Sequence, residues 1–211
     1  MSYRLAIFDF DGTLADTLPA FLRAMNDAAP RYGFESLDGL DLDTLRGMAP
    51  REIAARIRLP IWKTPMIAAF VRRRMAQEIA RMRIFPGVEA MLDRLRAADV
   101  TIAIVSSNAE ATIRQVLGPR LAAEVAYYGC GGSVFGKRRY FRRALARTGA
   151  ARPDAIAIGD EIRDLEAAHA EGIAFGGVTW GYATPEALRA RRPELMFERV
   201  EEIGERLSGS A

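Results

Sequence analysis

Asp9 and Asp11 stand two residues apart at the end of an apolar run, Leu5 to Phe10, within LAIFDFDGTLAD. A second apolar run, VTIAIVSS (100–107), closes on Ser106 and Ser107 with Asn108 behind them. A third, DAIAIGD (154–160), closes on Asp160, and Asp164 follows. Carboxylates are costly in apolar surroundings, and about four of them in one cleft repel strongly at short range. A hard divalent cation with oxygen ligands removes both penalties, and Mg²⁺ suits a few carboxylates plus a phosphate. Lys137 opens the helical pattern KRRYFRRALART (137–148) after GCGGSVFG (129–136). Its positive charge would draw a phosphate to the same place.

The elements that must position these groups follow from hydrophobic patterning. The near-continuous apolar runs at 4–10, 100–107, 154–160 and 173–180 read as buried parallel strands, with EVAYYGC (124–130) as a further one. Helical patterns alternate with them, as in VEAMLDRLRAA (88–98), which predicts an α/β fold with helices on both faces of a parallel sheet. In such sheets ligands bind beyond the carboxyl ends of the strands, so three strand ends deliver polar groups to one rim. One interval breaks the alternation. Residues 15–85 far exceed a βα connection of ~2–6 residues. They carry helical rhythms of their own at Leu18, Phe21, Leu22, Met25 and Ala29, and again from Ile67 through Phe70, Val71, Met75 and Ile79 to Met82. Shorter helices are expected at 41–48 and 50–59. The chain therefore divides into a core of 1–14 and 86–211 and an inserted α-helical domain of 15–85, hinged near 15–17 and 83–87.

With these residues in place, the chain resembles the haloacid dehalogenase superfamily. DFDGTLAD matches its first motif, D-x-D-x-T; VSSN (105–108) is similar to the second, Lys137 to the third, and GDEIRD (159–164) to the fourth, G-D-x-x-x-D. The four occur in order and span residues 4 to about 180. The resemblance implies a Rossmann-like three-layer core and a Mg²⁺-dependent phosphatase working through an aspartyl-phosphate. It implies that Asp9 is the nucleophile and Asp11 the general acid and then base, with Thr13 orienting the motif. Ser106, Ser107 and the backbone N–H groups after them would bind phosphoryl oxygens, and Lys137 would stabilise developing charge. Mg²⁺ would be held by Asp9, Asp160 and the Asp11 backbone carbonyl, while Asp164 fixes Lys137 or a metal-bound water. Dehalogenases of the superfamily lack the second Asp, so Asp11 favours phosphoryl transfer.

The insert resembles the helical cap of phosphoglycolate phosphatase-like and β-phosphoglucomutase-like members. LRGMAPRE (45–52) is similar to the cap loop that faces the site in those relatives, which makes Arg46 and Arg51 candidates for the non-reacting end of an anionic substrate. As bare sequence, both also read as solvated arginines at helix ends. Two rivals share the fold: a phosphomutase of the β-phosphoglucomutase type and a catalytically idle binding or regulatory protein. The third motif departs from the usual Lys-Pro, having Lys137-Arg138.

Composition narrows the partners. The 211 residues are 50% hydrophobic and 27% charged with a formal net charge of +3, an ordinary globular balance rather than a disordered one. The basic clusters at 72–74, 137–139 and 189–192 are scattered, so a small phosphorylated metabolite is expected as partner, and neither nucleic acid nor membrane. The single cysteine, Cys130, excludes an internal disulfide, and no apolar run approaches ~18 residues; a cytoplasmic protein without a signal peptide is expected. His169, Cys130 and Trp180 read as structural. Oligomeric state is not legible.

Overall fold

Apolar runs buried on both faces make strands that need cover on both sides, and helices supply it here. The computed structural model describes residues 3–48, 50–131 and 136–209. Ala49 of the LRGMAPRE stretch and residues 132–135 of the GCGGSVFG loop lie outside the described residues. Strand β1 (Leu5–Phe8) leads into four helices, α1 (Leu18–Tyr32), α2 (Leu42–Gly47), α3 (Pro50–Arg56) and α4 (Thr64–Gln77). The chain continues through α5 (Val88–Ala97), β2 (Thr101–Ser106), α6 (Glu110–Glu124), β3 (Val125–Cys130) and α7 (Lys137–Thr148). It ends with β4 (Ala155–Gly159), α8 (Ile162–His169), β5 (Ala174–Val178), α9 (Pro185–Arg189), β6 (Leu195–Phe197) and α10 (Val200–Leu207).

The strands form one parallel sheet in the order β3-β2-β1-β4-β5-β6. Alternate residues serve opposite faces, as the pleat requires. Ala6, Phe8, Ile102, Ile104, Ile156 and Ile158 pack with Met91, Leu95, Ile113 and Ile203 of α5, α6 and α10. Leu5, Ile7, Ala103, Val105, Ala157 and Phe175 pack with Phe141, Leu165 and Leu188 of α7, α8 and α9. The result is a Rossmann-like three-layer α/β core. Connections run outward from β1 to β3, and the chain then returns to β4 on the other side of β1. That reversal opens a crevice between the carboxyl ends of β1 and β4, the place where such sheets take ligands.

Several elements differ from the sequence expectation. Strand β1 stops at Phe8, because the Phe10 carbonyl accepts from the N–H groups of Thr13, Leu14 and Ala15 and turns the chain out of the sheet. Gly12 makes that turn at φ 75°, where a side chain is strained. β6 was not expected; three residues are too few to show a period. α6 breaks at Gly118 and Pro119, where Gly118 adopts φ 75° and ψ 164°.

The chain divides into two compact units, Met1–Asp16 with Arg83–Ala211, and Thr17–Met82. The division falls inside the expected 15–85 interval. The Asp16 N–H donates to the Arg83 carbonyl, Phe85 N–H donates to Leu14, and Ala15 bridges Ile84, which keeps 15, 16 and 83–85 with the sheet. In the helical unit, α1 and α4 pack over a core including Ala24, Ala28, Leu45, Ile57, Ile67 and Val71. The buried stripe of α1 is Ala20, Ala24 and Ala28, with Phe21, Leu22 and Met25 beside it, because small residues let helices approach closely. The expected helix over 50–59 ends at Arg56, and Arg58 takes a left-handed φ of 53°. The pattern through Met82 is split, α4 ending at Gln77 before a 3₁₀ turn at Ile79–Arg81.

Candidate active site

Asp9 is the first residue past β1, and its N–H continues the ladder to the Ile158 carbonyl at 2.8 Å. Its side chain is held at both oxygens: Oδ1 accepts from the Phe10 N–H at 2.7 Å and Oδ2 from Lys137 Nζ at 2.7 Å. Lys137, the first residue of α7, also donates to Asp164 Oδ2 at 2.6 Å. All three side chains are buried. Burial pushes the Asp9 carboxyl up, but the Lys137 charge and these hydrogen bonds outweigh it and hold Asp9 below its ordinary range. Lys137 in turn is raised: burial opposes its charge, and Asp164 and Asp9 overcome that.

Asp11 lies on the β2 side. Ser106 Oγ donates to its Oδ2 at 3.3 Å and Asn108 Nδ2 to its Oδ1 at 3.2 Å. The Asn108 N–H returns to Ser106 Oγ at 3.1 Å, closing a small ring of polar groups at the end of β2. Ser107 is half-buried between them.

Asp160 follows β4 and is fully buried. Thr13 Oγ1 donates to its Oδ1 at 2.8 Å and the Tyr182 N–H to its Oδ2 at 2.7 Å. The backbone closes on it from two sides: a Cβ added at Gly12 would lie 2.5 Å from Asp160 Oδ2, and one at Gly181 2.0 Å from Asp160 Cβ. Trp180 Nε1 donates to the Thr13 carbonyl at 3.1 Å and its ring meets Phe85 edge-on at 6.3 Å, so it ties the Thr13 turn down. Burial, with Glu161 and Asp9 nearby, pushes the Asp160 carboxyl up to about 8. Asp164 is also raised, first by burial, against the pull of Lys137.

Asp9, Asp160 and Asp164 each offer an oxygen within 4.8 Å of the others. Asp164 Oδ1 is buried and accepts no hydrogen bond among the described residues. An all-carboxylate donor set with a buried oxygen that accepts no hydrogen bond, Arg163 Nε lying 4.0 Å from it, fits a hard divalent cation. The acidic side-chain cluster thus adds Asp164 to Asp9 and Asp160, while the Asp11 carboxylate accepts from Ser106 and Asn108, which leaves the backbone carbonyl expected to face the metal as a separate group.

A family described as haloacid dehalogenase-like hydrolase matches residues 6–178. The chain belongs to that family. This hydrolase is 32% identical over 198 residues to a phosphoglycolate phosphatase of Synechococcus elongatus, covering 93% of both chains. It is 28% identical over 191 residues to a phosphoglycolate phosphatase of Agrobacterium fabrum, covering 84% of this chain and 81% of that one. A haloacid dehalogenase-like family hydrolase of Streptococcus pneumoniae shares the fold with a TM-score of 0.79 at 21% identity, over 95% of this chain and 96% of that one.

Asp9, Asp11, Thr13, Ser106, Lys137, Asp160 and Asp164 of the hydrolase therefore meet at one rim, as side-chain contacts or as strand-end neighbours. Arg46 and Arg51 lie in the helical unit, Arg46 half-buried in the last turn of α2 and Arg51 exposed on α3. Sequence reasoning gave no role to the Asn108 side chain or the Tyr182 N–H, and read Trp180 only as packing. Asn108 was within reach, since it ends the VSSN motif. The other two come from the turn after β5, which only the sheet order brings beside β4. Cys130 ends β3, and burial pushes its thiol up to about 12, against any role as a nucleophile. No helix among the described residues is long and apolar enough to cross a membrane.

Proposed function

We propose that this hydrolase is a Mg²⁺-dependent phosphatase acting on a small phosphorylated metabolite through an aspartyl-phosphate on Asp9. The observation that carries this reading is the buried, ionised Asp9 carboxylate, with Lys137 at one oxygen and a second carboxyl group, Asp11, two residues on. An ionised carboxylate is the nucleophile such chemistry needs. Asp9 attacks phosphorus, the bond to the ester oxygen breaks, and Asp11 gives that oxygen its proton. Water then attacks the phosphorus of the acyl phosphate and yields a proton to Asp11; inorganic phosphate leaves and Asp9 is restored. Ser106 and Asn108, both on the Asp11 carboxyl, orient it for the two proton transfers. Ser107 and Lys137 bind phosphoryl oxygens, and Lys137 opposes the charge that builds on them. Asp9, Asp160 and the Asp11 backbone carbonyl would hold the cation, with Asp164 beside it and Thr13 fixing Asp160. When bound, Mg²⁺ would neutralise the carboxylates and polarise the phosphoryl group.

The substrate class follows from two relatives named as phosphoglycolate phosphatases, which direct attention to a small phosphorylated acid. Arg46 and Arg51 are the candidates for its carboxylate, with the helical unit Thr17–Met82 acting as a cap. A lone half-buried cysteine suits a reducing compartment such as the cytoplasm.

Phosphate release from a panel including 2-phosphoglycolate, with Mg²⁺ and after chelation, tests the reading. Turnover should need Mg²⁺ and vanish in Asp9→Asn, while Asp11→Asn should accumulate phosphorylated protein. Transfer of phosphate between substrate positions without free phosphate would establish a mutase instead. No turnover of any substrate would leave only the fold.

A further inference from the structure

The large hydrophobic side chains that stand exposed among the described residues all fall in one short stretch: Ile61 and Trp62, each 77% exposed, and Met66, 56% exposed. They occupy the turn before α4 and its first turn. Cations border them. Lys63 Nζ lies 4.9 Å from the Trp62 ring centre and donates to the Tyr32 carbonyl at 2.8 Å. Tyr32 meets Phe70 edge-on at 5.7 Å, and Phe70 has Arg31 at 5.4 Å and Arg73 at 5.8 Å. The tip of α4 and the end of α1 thus present one continuous surface of aromatic rings and cations.

Its charge is one-sided. Residues 53–77 contain six Lys or Arg and no Asp or Glu. Arg58 and Arg74 are paired with Glu35 and Asp27 from outside the stretch. Arg31, Lys63 and Arg73 make no ion pair among the described residues. We propose that this face of the helical unit docks on an anionic lipid surface, with Ile61, Trp62 and Met66 entering the headgroup boundary and Arg31, Lys63 and Arg73 meeting lipid phosphates.

Two physical arguments favour lipid over other occupants. A stable protein interface needs roughly 800 Å² per partner, and three exposed side chains offer a few hundred at most. A bilayer needs only a small apolar tip with basic residues around it, since insertion and attraction to anionic lipid act together. A second copy presenting the same face would bring like charges together. Surface docking of this kind is distinct from spanning a membrane, and it does not depend on the hydrolysis reading.

Sedimentation of the full chain with vesicles tests this. It should bind vesicles of phosphatidylcholine containing phosphatidylglycerol, weaken as salt rises, and ignore phosphatidylcholine alone. Tryptophan emission should shift to the blue on binding, and not in Trp62→Phe. The combined variant Ile61→Ser, Trp62→Ser, Met66→Ser should lose about tenfold or more in partitioning, as should Arg73→Glu. Both should keep the native circular dichroism spectrum. Absence of binding at low salt, equal binding to neutral vesicles, or unchanged binding by the folded variants would overturn the proposal. So would capture of a single-stranded oligonucleotide, or self-association, through this face with no vesicle binding.

Discussion

Asp9 and Asp160 are both buried carboxylates just past a strand end, yet their surroundings drive them in opposite directions. Asp9 has a lysine and a backbone N–H on its oxygens and is held ionised, while Asp160 has a hydroxyl, an N–H and two acidic neighbours and is raised. The first arrangement suits the proposed nucleophile; the second suits a group that would gain from an arriving cation. Asp11 is set apart by neutral donors. Asn108→Ala should therefore lower kcat by about tenfold with a smaller change in KM, because the proton-transfer group loses orientation rather than the substrate losing a contact. Steady-state kinetics of Asn108→Ala and Asn108→Ser decide it, and a change confined to KM would reject it. Cys130 offers a pH-dependent check. With its thiol raised to about 12 by burial, it stays protonated at pH 8.5 in the folded chain and gains reactivity only as pH climbs well above that. Alkylation by iodoacetamide at pH 8.5 should be about tenfold or more slower than in denaturant, where an ordinary thiol is half ionised.

Helix α7 shows how an element carries a site. Its first residue, Lys137, turns inward to Asp9 and Asp164, and the next, Arg138, turns outward. Arg138 Nε donates to the buried Glu171 Oε1 at 2.8 Å, Arg142 reaches Glu171 Oε2 at 3.4 Å, and Arg152 Nε holds the Glu171 carbonyl at 2.8 Å. The residue that departs from the usual third motif thereby anchors α7 to the end of α8, the helix that bears Asp164. Arg138→Ala leaves a buried carboxylate with a weaker partner and should cost about 1–3 kcal/mol in urea unfolding, with kcat reduced as Lys137 loosens. Arg138→Lys should recover part of both. A stable, fully active Arg138→Ala protein would show that the junction does not position Lys137.

For the whole sheet, the last strand matters more than its three residues suggest. Phe197 of β6 is fully buried and its ring covers Gly176 of β5, where a Cβ would sit 2.6 Å from it. Phe197→Ala should lower stability by about 3–5 kcal/mol, read as a lower denaturant midpoint at an unchanged slope. An effect below 1 kcal/mol would mean the edge collapses to fill the space.

The sequence alone determined which residues are candidates for chemistry and on which strand ends they sit. Buried parallel strands must be apolar throughout, so an Asp or Ser at the end of such a run is conspicuous, and Asp9, Ser106 and Asp160 stood out for that reason. The length of 15–85 likewise announced an insertion, though its limits shifted to 17–82 once the paired segments at 14–16 and 83–85 were visible. Only the tertiary structure decided who faces whom. The strand reversal beside β1 set Asp160 against Thr13, the turn after β5 supplied the Tyr182 N–H and Trp180, and α7 brought Lys137 between Asp9 and Asp164. It also set the Asp11 carboxylate against Ser106 and Asn108. These contacts join residues up to 167 positions apart, and no local period encodes a pairing that depends on sheet order and helix docking.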